Sequence, residues 1–283
     1  MVISGRTDLA SESLQLSLDQ AAGARALPGI RMQQSREEGC HICRVEITDP
    51  EGSRRLGKPE GQYVTLQFST PDPDTFSHAS RLLSRLLRSF LPAGLPDCVC
   101  VAALGNPDIT PDALGPLAAS QILVTRHLKQ SGDPLFQSFS STALCRAGVL
   151  GLSGLESARQ ISAFCREVNA GLVIAVDALA GTDPEGLCRS IQICDTGISP
   201  GSGVGNDRQA LSSSTLGIPV IAIGVPTVLD AASLSPDSGL RSLFVTPRTI
   251  DSDVRFAARV IAYGINLALQ PHLDLEQIAS FLG

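Results

Sequence analysis

The chain has 283 residues, enough for one large α/β domain or two small ones. Hydrophobic residues make up 43% but aromatics only 4%, with no Trp, so the core is expected to be aliphatic. A formal charge of -6 argues against tight binding of a nucleic-acid backbone, and no run reaches the ~18 apolar residues of a membrane span. Met1–Arg6 has no apolar leader-like stretch, so the eight cysteines are expected as reduced thiols in a cytoplasmic protein.

Residues 1 to about 70 read as a small N-terminal β-rich layer. Cys43–Thr48 and Gln62–Phe68 are its strands, separated by a charged, turn-rich segment. Asp74–Leu91 follows as an amphipathic helix. Phe76, Ala79, Leu82, Leu83, Leu86, Leu87 and Phe90 share one face and Arg81, Arg85 and Arg88 the other. A βαβ rhythm then sets in. Cys98–Leu104, Leu172–Val176, Ser190–Cys194, Pro219–Gly224 and Leu243–Thr246 are short apolar strands. Leu155–Val168, Asp251–Leu269 and Leu275–Leu282 are helices. Strands that are continuously apolar predict a largely parallel central sheet covered by helices on both faces. The predicted fold is a single α/β domain over 1–283.

Three aspartates stand where such strands give way to Gly/Pro-rich loops. Asp112 lies in Thr110-Pro111-Asp112-Ala113-Leu114-Gly115-Pro116, Asp177 follows Val173–Val176, and Asp195 follows Ser190–Cys194. In open α/β sheets, ligands bind beyond the carboxyl ends of the strands. Two carboxylates brought close there cannot both ionise cheaply, so one keeps a proton while the other acts as a base. The commoner use of Asp at such places is helix capping or turn formation.

Gly201-Ser202-Gly203-Val204-Gly205-Asn206 can present backbone N–H groups to an anion or oxyanion, but lacks a phosphate-loop ending. Tight turns are the more ordinary use of each glycine. Asp195-Thr196-Gly197 matches the pepsin-type triplet over three residues only, in a chain that does not read as all-β. Cys40-His41-Ile42-Cys43 has metal-like spacing but no second pair to complete a zinc site. Cys98 and Cys100 read as core. No Gly-x-Ser-x-Gly or His-Glu-x-x-His motif is present. A Cys194–His127 pair stays open as a nucleophile and base.

Longer stretches carry a family resemblance. They are Arg6–Ala10, Gly57–Leu66, Leu104–Asn106, Thr110–Pro116, Val124–Leu128, Ala175–Ala180, Ile191–Asn206, Leu216–Asp230, Val245–Asp251 and Gly264–Leu269. In this order, across nearly the whole chain, they resemble the germination protease of bacterial endospores. The resemblance implies an endopeptidase that degrades small acid-soluble spore proteins in the spore core. It implies a fold similar to hydrogenase maturation proteases, a homotetramer, and no cofactor. By motif it places an atypical aspartic pair on Asp112 and Asp177. The Gly-rich run adds expected substrate contacts on Gly201, Ser202, Gly203, Gly205 and Asn206, with Asp195 positioning that loop or the substrate. A second carboxylate site falls near Glu156.

The chain departs from the family pattern in three ways. Only Met1–Gly5 precede the Arg6 motif, where the family carries a propeptide, so truncation or another form of control is expected. Leu27–Gly57 and Ser131–Gly148 are compact. Asp207, followed by Arg208, replaces the usual basic residue after Asn206. Two alternatives therefore remain: a metal-dependent maturation-type protease using Glu156 or the aspartates, and a non-catalytic relative that binds spore proteins.

Overall fold

The computed structural model describes residues 7–20, 27–201, 208–234 and 243–283. The strands are β1 (Ile30–Glu37), β2 (Cys40–Ile47), β3 (Gly61–Gln67), β4 (Val99–Leu104), β5 (Thr142–Ala147), β6 (Leu172–Gly181), β7 (Ser190–Cys194), β8 (Val220–Asp230) and β9 (Phe244–Val245). The helices are α1 (Ala10–Gln20), α2 (Pro50–Leu56), α3 (Pro73–Arg88), α4 (Leu114–Ala119), α5 (Arg126–Gln130), α6 (Leu150–Ser153), α7 (Ser157–Val168), α8 (Ser213–Leu216), α9 (Ile250–Leu269) and α10 (Leu275–Leu282).

Among the described residues all nine strands belong to one sheet, in the order β1-β2-β3-β7-β8-β6-β4-β5, with β9 added to β8. The strands β8, β6, β4 and β5 run parallel. Every residue of β4 is buried, as expected for a strand covered on both faces. Its alternate residues feed two cores. Val99 and Val101 join Ile174 and Val176 beneath α3, α4 and α9; Cys98, Cys100 and Ala102 join Val173 and Ala175 beneath α7. This is the helix-flanked α/β sheet that the apolar strands predict. Cys98 and Cys100 are core residues, and all eight cysteines are free thiols.

Four features differ from the sequence reading. The N-terminal strands are not a separate layer: β3 hydrogen-bonds antiparallel to β7, so they extend the same sheet. β1 escapes a hydrophobicity reading because it is a polar edge strand, mostly exposed. It is fixed by its register with β2 across Glu38 and Gly39, both at positive φ, the turn geometry that suits a tight hairpin. β7 is antiparallel to β8, a direction that apolarity does not encode. Finally, β6 does not stop at Val176. It runs on to Gly181 because β8 continues beside it, pairing Ala178 with Val225 and Gly181 with Leu229.

Candidate active site

The unequal lengths of neighbouring strands create the site. The last β4–β6 pair is Ala103 with Val176. At Asp177, therefore, β6 continues while β4 has turned away through Gly105 and into a one-turn 3-10 helix at Thr110–Asp112. Gly105 has φ 117° and comes so close to Asp112 that a Cβ there would lie 2.0 Å from its carbonyl oxygen, so no larger residue fits. The 3-10 turn is pinned from three sides. Thr227 Oγ1 donates to Pro111 O (2.6 Å), Thr110 Oγ1 donates to Asp251 Oδ1 on α9 (3.0 Å), and Asn106 N–H donates to Asp112 Oδ2 (2.8 Å). The turn leads straight into α4, where Gly115 packs directly on the strand ends. A Cβ at 115 would lie 2.1 Å from Leu104 O and 2.8 Å from Val176 O. The Thr-Pro-Asp-Ala-Leu-Gly-Pro segment thus reads as a device that presses one aspartate against the open end of the sheet.

Asp177 is only 4% exposed. Its Oδ1 accepts from the N–H of its own neighbour Ala178 at 2.9 Å. Asp112 and Asp177 line one cavity of about 300 Å3, together with Asp8, Gly201 and Arg208, and with apolar walls that include Ile109 and Phe244. Burial drives the electrostatics. It pushes Asp177 up to about 8, reinforced by the negative charge of Asp112 and, less strongly, Asp8; the Ala178 N–H and the Arg208 guanidinium pull the other way. Burial also raises Asp112, against the Asn106 N–H and Arg208. At neutral pH such a pair holds a proton on Asp177 and leaves Asp112 as the stronger candidate for the charged partner. An acid and a base then line one cavity, an arrangement suited to general acid–base attack of water on a carbonyl.

The other predicted residues separate. Gly201, at φ 74°, reaches the cavity wall, but Ser202, Gly203, Gly205 and Asn206 lie outside the described residues. Asp195 does not join the pair: it is exposed, and its Oδ1 accepts from Gln62 N–H (2.8 Å), tying β7 to β3. Glu156 precedes the first residue of α7, whose Ser157 lines the cavity. Among the described residues no group of three or more His, Cys, Asp or Glu is placed to hold a metal ion. Cys40 and Ile42 point into the core from β2. Cys194 is buried and donates to Gly197 O (3.3 Å), whereas His127 on α5 is exposed.

Three contributors were missed as site residues: Asp8, Arg208 and Thr227. Asp8 and Thr227 fall within stretches that carry the resemblance, but nothing in their spacing ties them to Asp112 or Asp177. Asp8 reaches the cavity through its pairing with Ala180 of β6, and Thr227 through its bond to Pro111.

A family model described as "Germination protease" matches residues 8–240. The chain belongs to the germination protease family. It is 36% identical to the germination protease of Caldanaerobacter subterraneus subsp. tengcongensis, covering 100% of this chain and 99% of that one. It is 34% identical to that of Clostridium tetani, over 99% and 100% of the two chains. It is also 40% identical to that of Bacillus cereus, over 82% of this chain and 65% of the relative. A crystal structure of a [NiFe] hydrogenase maturation protease, HycI from Thermococcus kodakarensis, aligns with 64% of this chain and 98% of its own, at 20% identity and a TM-score of 0.35. The protein is thus a protease of the germination family, and no helix among its described residues is long and apolar enough to cross a membrane.

Proposed function

We propose that this protease is an endopeptidase that starts the degradation of small acid-soluble spore proteins during germination, and that it works by an atypical aspartic mechanism. The observation that carries the reading is the carboxylate pair in one buried cavity at the end of the sheet, Asp177 pushed up to about 8 and Asp112 less protected from water. Asp112, as carboxylate, takes a proton from water as it attacks the peptide carbonyl. Asp177, as acid, donates its proton to the carbonyl oxygen; as the C–N bond breaks, Asp112 passes the proton it took from water to the leaving nitrogen and Asp177 recovers one from a hydroxyl of the tetrahedral diol. Arg208 limits the charge that builds up around the pair. The Gly201–Asn206 segment belongs to substrate binding in this reading, and Asp195 positions the loop that leads to it. The whole chain acts as one protease domain, assembles as a homotetramer and works in the spore core.

The test is incubation of the purified chain with a small acid-soluble spore protein and mass spectrometry of the products, with Asp112→Asn and Asp177→Asn alongside. Internal cleavage that either substitution abolishes supports the aspartic mechanism. Full cleavage by both variants sinks it. Binding of the spore protein by the wild-type chain without any products would instead mark a binding relative.

A further inference from the structure

The strand β8 carries one residue more than β6 where the two pass the site. Leu179 pairs with Pro226 and Ala180 with Val228, so Thr227 faces no partner on β6 and is the extra residue of a β-bulge. The sequence gives a reason for it. Pro226 brings no N–H to the ladder, and a proline inside an otherwise buried strand is accommodated at a bulge. Before the bulge β8 pairs with β7, ending at Gly224; after it β8 pairs with β9, whose Phe244 lines the cavity of Asp112 and Asp177. Bulges beside active sites re-aim a side chain.

Here the re-aimed side chain is a hydroxyl. Thr227 is 1% exposed, and its Oγ1 donates to Pro111 O at 2.6 Å. That oxygen belongs to the peptide group leading into Asp112, so the bond fixes the backbone from which the Asp112 carboxyl projects. The other two ties on the turn come from elsewhere. Thr110 binds Asp251 of α9 at exposed positions, and Asn106 N–H binds Asp112 from within the same loop. Of the three, only the Thr227 bond joins the turn to the sheet. The same strand pairs Gly224 with Asp177. One strand therefore places both carboxyls, Asp177 through the ladder and Asp112 through the bulge.

We propose that Thr227 is a positioning residue of the hydrolytic site, its hydroxyl holding Asp112 in working register with Asp177. This rests on the reading of Asp112 and Asp177 given above. Thr227 acts through Asp112 and needs no contact with substrate. A shift of about 1 Å in a reacting group can cost on the order of 10²-fold in rate, so one hydrogen bond to the turn is enough to matter.

Thr227→Val keeps the branched side chain and removes the donor. Its kcat on a small acid-soluble spore protein is expected to fall by about 10–100-fold, with KM near the wild-type value. Thr227→Ser restores the hydroxyl and drops the methyl, and is expected to recover most of kcat. A role in packing alone predicts the opposite order, because Val fills the buried site better than Ser. The deciding measurement adds Thr227→Val to Asp112→Asn. If the hydroxyl works through Asp112, the added substitution lowers the residual rate no further. The proposal is overturned by an unchanged kcat in Thr227→Val, by a loss that Ser does not restore, or by a full additional loss in the double variant. Should Thr227→Val not fold, Thr227→Ala removes the same donor and is compared with Ser in its place. Normal cleavage by Asp112→Asn overturns the aspartic reading and this proposal with it. An inactive Asp112→Asn beside a fully active Thr227→Val overturns the proposal alone.

Discussion

Asp177 and Asp195 begin alike and end apart. Each follows a five-residue buried strand segment and precedes a stretch rich in small residues. At Asp177 the neighbour β8 keeps going, so β6 continues as strand and carries the buried carboxylate to a cavity that Asp112 also lines. At Asp195 the strand β7 has ended, and the carboxylate stands in water and clamps Gln62 N–H across the β3–β7 edge. One aspartate has become a candidate acid and the other a fastener. What separates them is the length of the adjacent strand, not the residues that precede them.

The strongest way to break this contrast is catalytic. Asp177→Asn and Asp112→Asn are each expected to lower kcat/KM on a spore protein by about 10²–10⁴-fold, the usual worth of a general acid or base. Asp195→Asn, which keeps an acceptor for Gln62, is expected to leave it little changed. Equal losses in all three variants would erase the distinction.

The second expectation concerns stability. The folded protein holds a proton on Asp177 up to about 8, whereas the unfolded chain releases it near 3.8. Between those values the native state binds more protons than the unfolded state, so stability falls as pH rises and levels off above about 8. The slope is on the order of 1.4 kcal/mol per pH unit. Asp177→Asn removes it. Urea unfolding is expected to show the variant more stable than wild type at pH 8, with the gap closing toward pH 4. A constant gap would mean that Asp177 does not hold its proton.

A third expectation follows for the rate. Activity should be bell-shaped, with an alkaline limb near 8 from loss of the Asp177 proton and an acid limb from Asp112, moved upward by burial. Arg208 lowers both groups, so Arg208→Gln is expected to move both limbs upward.

Much of the fold was legible because burial on both faces writes itself as continuous apolarity. The strands β4 and β8 could be read that way, and the helix α3 by its single apolar face. The pair Asp112 and Asp177 could be suspected from strand ends and loops, and the family resemblance singled it out. Elements held by hydrogen bonds alone left no such mark. β1 is a row of Arg, Gln and Glu that only its register with β2 makes a strand. Ala178–Gly181 reads as loop because Ala and Gly carry little strand preference, and only β8 keeps it extended. Asp8 was invisible as a site residue for a related reason: its place at the cavity comes from backbone pairing with Ala180, which no spacing rule reports.

Smaller expected effects test the scaffold on each side of the contrast. Gly115→Ala would force a Cβ against Leu104 O and Val176 O, backbone atoms that cannot swing aside. Overpacking of this kind costs about 1–3 kcal/mol, and relief requires α4 to shift together with the turn that carries Asp112. Activity should therefore fall along with stability in thermal and kinetic assays. Asp195→Ala removes a hydrogen bond to the backbone N–H of an exposed residue that water can still reach, so a loss of about 1 kcal/mol is expected. Because Asp195 lies apart from the cavity of Asp112 and Asp177, both limbs of the pH profile should stay where they are. A shifted alkaline limb in this variant would mean that the β3–β7 clamp reaches the acid through the sheet, and that the two aspartates are less separate than their surroundings make them.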